Sequence, residues 1–197
     1  QDKLKVYMSA SGVPEYLLKA AKYGHAAHFL NAEFFQKDGY FYREPYFLLS
    51  QEFKEIKTYF AILDAIASGN TRPTEIANFA GLKGREIYPY LENLMRFNFV
   101  AKQTPLLGKR KGGIYLIKDT LFDFWLNFVH KGKEEIERNT YKANDGALNA
   151  YFGKRFEALV REELLPKILP KFERIGKWWH KDNEIDILAV NESKKEI

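Results

Sequence analysis

Residues 51–82, QEFKEIKTYFAILDAIASGNTRPTEIANFAGL, hold the pattern that decides the fold. Apolar side chains recur every three or four positions, which predicts an amphipathic helix of about four turns that ends at Gly69 and Asn70. Pro73 favours the start of a short second helix, because proline is tolerated in the first helical turn, and Gly81 provides a tight break after it. The stretch therefore predicts two helices joined by a short loop.

A third helix and a hairpin follow this pair. Apolar residues at helical spacing from Ile87 to Met95 predict the helix, and Pro89 requires it to begin only a few residues earlier. Residues 99–107 and 112–119 are rich in β-branched and aromatic side chains, and the basic turn GKRKGG lies between them. Three helices and then a two-stranded hairpin are the order of a winged helix-turn-helix, which we assign to residues 51–118.

The hairpin is the basic part of this predicted module. Residues 101–118 contain lysine and arginine but no acidic residue. In a winged helix the hairpin tip lies beside the duplex, where protein cations replace phosphate counterions. The pattern therefore predicts phosphate contacts for Lys109, Arg110 and Lys111.

The third helix is a weaker candidate for reading DNA. Arg85 and Asn93 are residue types that bind guanine and adenine edges. Glu86 and Glu92 would instead repel phosphate. Two interpretations therefore stay open: the module binds duplex DNA, or it is an interaction module whose basic turn is simply solvated.

The first 50 residues are expected to form helices joined by loops. Pro14 favours the start of one helix, and a second helix should end near Gly39. Pro45 should require an extended connection before it. Nothing in this part resembles a catalytic arrangement.

Residues 119–197 predict two helices and two strands. Asp119 or Thr120 should cap the first helix, whose broad apolar face predicts burial on one side. The second helix lies within residues 151–169 and is expected to turn four apolar residues inward: Phe156, Leu159, Val160 and Leu164. With the two strands that follow, the fold class is mainly α with small β elements (α+β).

The last of these strands, EIDILAV at residues 184–190, carries the candidate metal ligands. Alternation places Glu184 and Asp186 on one face, and the apolar run toward Val190 predicts an interior strand with its acidic end at the sheet margin. Magnesium prefers such carboxylate oxygens, and Glu157 is the best further ligand. The alternative is an ion pair between Glu157 and Arg161 on one helix, which would leave the metal site incomplete.

Composition excludes several classes of protein. The 197 residues include no cysteine, which rules out disulfides, thiolate zinc sites and cysteine nucleophiles and favours a cytoplasmic location. No apolar run approaches the roughly 20 residues of a membrane span. The net charge of +5, from 31 basic and 26 acidic residues, suits a phosphate-bearing partner without requiring one. A phosphate-binding loop of the GxxxxGK[ST] type is missing, so we expect the chain itself to hold no cofactor.

Taken in order, SGVPEYLL, YFAILDAIASG, RPTEIANFAGL, FDFWLNFV, GKRFEALVREEL and IGKWWHKDNEIDILAV make the chain similar to the carboxy-terminal half of archaeal ATPases of the AAA-like, STAND-related class. The resemblance spans nearly the whole chain. It implies a helical lid remnant at residues 1–50, the winged helix at 51–118, and a truncated domain at 119–197 that is similar to PD-(D/E)xK nucleases.

The resemblance also implies roles for single residues. Pro14 would lie near the nucleotide base, although the related proteins usually have glycine where this chain has Ser11. Glu157 and Asp186 would match the first two acidic positions of the nuclease-like motif, with Glu184 beside them. Glu192-x-Lys194 lies in the polar stretch NESKKE and is not taken as the Glu-x-Lys of the motif, which should follow on the next strand. Since that strand is missing, we expect an inactive fragment whose parent binds ATP and magnesium and supplies an upstream ATPase core as partner.

Overall fold

A computed structural model describes residues 1–107, 113–180, 183–191 and 193. About 59% of the chain is helical, and two small antiparallel sheets complete it, which confirms the predicted fold class. Contacts divide the chain into two compact units. The first contains residues 1–101 and 115–144, and the second contains residues 102–114 and 145–197. The predicted three-part division at residues 50 and 118 stays a prediction.

Four helices open the first unit: α1 (Asp2–Ala10), α2 (Pro14–Ala20), α3 (Ala26–Glu33) and α4 (Tyr40–Glu52). The rings of Phe29, Phe34 and Phe41 are fully buried and touch one another, with Phe34 stacked on Phe41 at 4.7 Å between centroids. Apolar contact of this kind is the main favourable term for these short helices, since helices of such length are marginal in isolation.

Pro45 lies inside α4, so the predicted extended connection before it is wrong. Proline removes one backbone hydrogen bond from a helix, here the one that the Phe41 carbonyl would accept. Phe41, Tyr42 and Pro45 are all buried in the first unit. The burial of this turn outweighs the preference of the residue before proline for an extended conformation.

The three helices and the hairpin predicted for the winged helix are confirmed. They are α5 (Ile56–Ala67), α6 (Pro73–Phe79) and α7 (Ile87–Arg96), followed by the paired strands β1 (Val100–Gln103) and β2 (Ile114–Ile117). Gly69 and Gly81 end the first two helices with φ of 94° and 70°, a conformation that side chains with Cβ disfavour. A single 3-10 turn, Gly84–Glu86, leads into α7.

The first unit closes with α8 (Thr120–Phe124), a π-helical segment (Trp125–His130) and α9 (Lys133–Glu137). Asp119 is the cap of α8, because its carboxylate accepts the Phe122 N–H at 3.0 Å. The six apolar residues expected on the inner face are buried, as predicted: Leu121, Phe122, Phe124, Trp125, Phe128 and Val129.

The second unit contains α10 (Asp145–Leu159), a π-helical segment (Val160–Leu164), α11 (Leu165–Ile168), and the strands β3 (Arg174–His180) and β4 (Asn183–Val190). Phe156 and Leu164 are 48% and 47% exposed, so their predicted inward positions are wrong, whereas Arg161 is only 7% exposed. The π-helical turn breaks the 3.6-residue phase, and β3 packs on this turn and on α11.

The two predicted strands form an antiparallel hairpin, with His180 opposite Asn183 and Arg174 opposite Val190, and the register shifts between Gly176 and Trp178. In the part of the chain that the structure describes, β4 pairs with β3 alone. Ile185 and Ile187 are 44% and 42% exposed, so the expectation of an interior strand is wrong for this chain. An apolar run permits burial on both faces but does not supply the neighbouring strand that produces it.

Among the described residues, no helix combines the length and the apolar character that a membrane span requires.

Candidate functional site

The predicted DNA-binding residues fall into three groups. Lys109, Arg110 and Lys111 lie outside the described residues. Arg85 is exposed in the 3-10 turn before α7, where a side chain reaches solvent freely. Asn93 is half-buried, and its Nδ2 donates a hydrogen bond of 2.7 Å to the Tyr59 hydroxyl. Arg85 is therefore the described residue of this set that is open to a nucleic acid, while the Asn93 amide is engaged within the protein.

A groove of about 640 Å³ lies beside α7 in the first unit, and Asn93 lines it. Its walls come from the end of α4, the start of α5 and one face of α7. The carboxylates Glu52, Glu55 and Glu86 line this groove together with Lys54. Three acids against one base make this face a poor site for phosphate.

Pro14, the predicted contact of a nucleotide base, is the first residue of α2 and is exposed. Ser11, three residues earlier, has φ of 63° and ψ of −172°. This region of backbone space is occupied almost entirely by glycine. The backbone at Ser11 thus favours glycine, which is the residue expected there in the related proteins.

The acidic end of β4 meets a lysine from β3. Lys177 Nζ lies 2.7 Å from Asp186 Oδ1 and 3.1 Å from Glu184 Oε2. Alternation along β4 gives both carboxylates the same side, and Lys177 reaches that side from the register shift between Gly176 and Trp178 in β3. One ammonium group therefore bridges the two predicted metal ligands.

The third predicted ligand, Glu157, pairs with Arg161 at 3.2 Å, as the alternative interpretation expected. Arg161 also bonds Glu162 and donates to the backbone carbonyl of Asp186 at 3.3 Å. The buried Arg161 Nε has no hydrogen-bond partner among the described residues. The Arg161 side chain thus links the helix to the backbone of β4.

These contacts set the charge states of the hairpin. Partial burial acts to lower the pKa of Lys177, but the hydrogen bonds and charges of Asp186 and Glu184 outweigh it and raise that pKa. The hydrogen bond and charge of Lys177, with a smaller effect of Arg161, lower the pKa of Asp186. Lysine and carboxylate are both ionised at neutral pH.

The described residues do not fit a divalent metal ion as they are arranged. No group of three or more histidine, aspartate or glutamate side chains among them converges on a possible metal position. Lys177 and Arg161 instead supply the positive charge that a metal would otherwise bring. A metal role for Glu157, Glu184 and Asp186 stays a prediction that needs ligands beyond those described.

Sequence reasoning missed Lys177, although a signal for it exists. Counting back from the pair His180 and Asn183 along a regular antiparallel hairpin would place residue 177 opposite residue 186, whereas the observed register shifts between Gly176 and Trp178. Cross-strand pairs of opposite charge are a common stabilising feature of sheets. The inward position of Arg161 had no comparable signal, because regular α-helical spacing turns the apolar residues of this helix inward and leaves Arg161 outside that apolar face.

Comparison with known proteins finds a family that is similar to part of the chain. Residues 125–197 match DUF234, described as archaea bacterial proteins of unknown function. The uncharacterized protein MJECL04 of Methanocaldococcus jannaschii is 34% identical over 204 aligned residues, which cover 99% of this chain and 46% of that protein. The chain thus spans about half the length of this curated relative. No solved structure matches the chain. Its carboxy-terminal part is therefore similar to DUF234 proteins, and the chain as a whole is similar to a longer archaeal protein.

Proposed function

We propose that this chain is the carboxy-terminal part of an archaeal ATPase of the AAA-like, STAND-related class, and that its winged helix contacts duplex DNA. The observation that carries the proposal is the succession of α5, α6, α7 and the β1–β2 hairpin, with Arg85 exposed directly before α7. In such modules the third helix and the hairpin tip face the nucleic acid. The similarity to a longer archaeal protein supports a role within a larger polypeptide.

Phosphate contact is the main source of affinity in this proposal. The basic turn that contains Lys109, Arg110 and Lys111 lies between β1 and β2 in the sequence, and Arg85 adds a further cation near α7. Asn93 contributes little, since its amide is bound to Tyr59. We therefore expect weak binding with little sequence preference and with strong dependence on salt.

Titration of a fluorescent 20-base-pair duplex with the intact chain tests this proposal. Replacing Lys109, Arg110 and Lys111 by alanine should lower the affinity and should reduce the slope of log K against log salt by about 3, because each phosphate contact contributes about 0.9. The matched control replaces three exposed lysines elsewhere: Lys22, Lys37 and Lys133. Equal affinity and equal slope for both triple variants and the wild type would reject DNA binding through the basic turn.

For the terminal domain, we propose a nuclease-like fold that does not cleave DNA in this chain. The contacts of Lys177 with Glu184 and Asp186 support this, because both carboxylates are neutralised within the hairpin. ATP and magnesium would belong to the parent ATPase, and a cytoplasmic location is part of the same proposal. Cleavage of plasmid DNA by the intact chain with magnesium or manganese, abolished by Asp186→Ala, would contradict it.

A second candidate function is a regulatory module that packs on the ATPase core without touching DNA. The acidic groove beside α7 favours it, because a surface that repels phosphate suits a protein partner better than a duplex. Comparison of ATP hydrolysis by the parent with and without residues 51–197 tests this candidate. An unchanged rate would reject it, whatever the outcome of the DNA titration.

A further inference from the structure

The groove beside α7 has an aromatic wall that is already in place. The rings of Phe53 and Tyr59 stack at 3.7 Å between centroids, with an interplanar angle of 19°. Phe97 meets the edge of Phe53 at 5.3 Å, and Tyr90 meets Tyr59 at 5.1 Å. Phe53 and Tyr59 are buried and support the wall from within, so the ring surface open to a ligand is that of Tyr90 and Phe97.

Carboxylates surround this aromatic wall. Tyr90 donates its hydroxyl hydrogen to Glu55 at 2.6 Å, and Lys83 donates its backbone N–H to Glu86 at 3.1 Å. Each bond holds one carboxylate oxygen and leaves the second oxygen available to accept. Glu52, at the carboxyl end of α4, adds a third negative charge, and Lys54 is the one cation among the lining residues. The groove therefore offers acceptors and negative charge beside flat apolar rings.

We propose that this groove binds an arginine-containing basic segment of a protein partner. A guanidinium group is planar, stacks on aromatic faces, and donates in pairs to carboxylates, so it matches both features of the groove. A lysine would gain the charge but not the stacking. This surface differs from the basic turn assigned to DNA. The inference rests on the second candidate function, which uses the same groove, and it does not depend on DNA binding.

Peptide binding to the intact, ¹⁵N-labelled chain tests the proposal. The probe is acetyl-Arg-Gly-Arg-Gly-Arg-amide, and the same sequence with lysine or with glutamate serves for comparison. The expected result is a set of amide shifts confined to residues 52–55, 59 and 82–97, strongest for the arginine peptide and lost with the glutamate peptide. Shifts elsewhere in the chain, or none at millimolar peptide, would overturn the proposal.

Charge-removing variants give a second measurement. Changing Glu52, Glu55 and Glu86 to glutamine keeps the acceptors for Tyr90 and Lys83 and should weaken binding about tenfold or more, since the three negative charges that line the groove are removed. The matched control changes three exposed glutamates outside the groove, Glu15, Glu92 and Glu134, and removes the same charge. Equal weakening by both triple variants would show a general charge effect and reject the groove. Neither variant changes the basic turn, so loss of peptide binding and loss of DNA binding are separate outcomes.

Discussion

Lys177 Nζ lies 2.7 Å from Asp186 Oδ1 across the β3–β4 hairpin, and the same ammonium reaches Glu184 at 3.1 Å. The two carboxylates that are the strongest candidates for metal ligands in the sequence are thus bound to a cation of the protein itself. Arg161 approaches the same place from the helix and binds the Asp186 carbonyl. The hairpin end is a compact charge network in which each acid has a basic neighbour.

Replacing Lys177 by methionine should raise the pKa of Asp186, because the lysine hydrogen bond and charge are the largest causes of its lowering. Titration of the Asp186 side-chain carboxyl carbon by NMR measures this directly. Lys167→Met removes an exposed lysine from α11 in the same unit and serves as the control. An Asp186 pKa that does not move in the Lys177 variant would contradict the assigned cause.

The same shift has a consequence for stability. Since the pKa of Asp186 is lower in the folded than in the unfolded chain, its stabilising contribution is present above the ordinary value of about 4 and disappears as the pH falls through the folded value. Between pH 5 and pH 2 the wild type should therefore lose more stability than the Lys177→Met variant. Urea unfolding followed by the fluorescence of Trp178 and Trp179, both in β3, compares the two.

Arg161→Met should destabilise the second unit by roughly 2 kcal/mol. Arg161 is buried and bonds Glu157, Glu162 and the Asp186 carbonyl, and hydrogen bonds that involve charged groups contribute about 1.5–3 kcal/mol when buried. Partial exposure of Glu157 reduces the effect. Unfolding of the hairpin by urea, read by tryptophan fluorescence, gives the value.

The control for Arg161 is Arg138→Met. Arg138 also pairs with a glutamate four residues away, Glu134, at 3.7 Å, but both side chains are exposed. Exposed pairs at this helical spacing contribute about 0.3–0.5 kcal/mol, so the expected loss is small. A loss for Arg161→Met no larger than that for Arg138→Met would mean that burial of Arg161 has no energetic role.

Ser11→Gly should stabilise the first unit by about 1 kcal/mol. The φ of 63° and ψ of −172° at Ser11 are readily adopted by glycine but cost a residue with Cβ about 1–3 kcal/mol, and greater freedom of the unfolded glycine chain offsets part of the gain. Ser50→Gly, at an exposed position inside α4, should have the opposite sign because glycine disfavours a helix. Thermal unfolding of both variants measures the difference, and a lower midpoint for Ser11→Gly would refute the strain.

The first unit should lose stability at alkaline pH through its buried tyrosines. Burial, and then the hydrogen bond of 2.7 Å to Glu44, raise the pKa of Tyr16 far above its ordinary value, and similar causes raise that of Tyr40 to about 12. A raised folded pKa means that stability is fully present below pH 10 and declines above it, where the unfolded tyrosine ionises. Tyr16→Phe keeps the ring contact with Phe41 and should reduce this decline. Urea unfolding at pH 9 and pH 11 checks it, and an equal decline in both proteins would disprove the contribution of Tyr16.

Local patterns predicted the winged-helix elements well. The apolar spacing of α5 and α7, the glycines at 69 and 81, and the strands on either side of the basic turn are each readable within about ten residues. The cap at Asp119 and the ion pair between Glu157 and Arg161 were also open to sequence reasoning, because both join residues three or four positions apart.

The errors share one physical origin. Pro45 continues a helix because its turn is buried, and Phe156 is exposed although Phe152, one turn earlier in the same helix, is buried. Burial depends on which other elements cover a surface, and a local sequence pattern does not show which elements those are. The exposed Ile185 and Ile187 make the same point for a strand.

The sequence by itself determined the mainly helical class, the order of helices and hairpins, and the residue types at the acidic end of β4, since these depend on short-range spacing and side-chain chemistry. Tertiary structure alone decided that Lys177 bridges Glu184 and Asp186 while Arg161 holds the Asp186 carbonyl, and that carboxylates surround aromatic rings beside α7. The physical reason is that electrostatic and packing energies depend on distances between elements, which the chain acquires only when it folds.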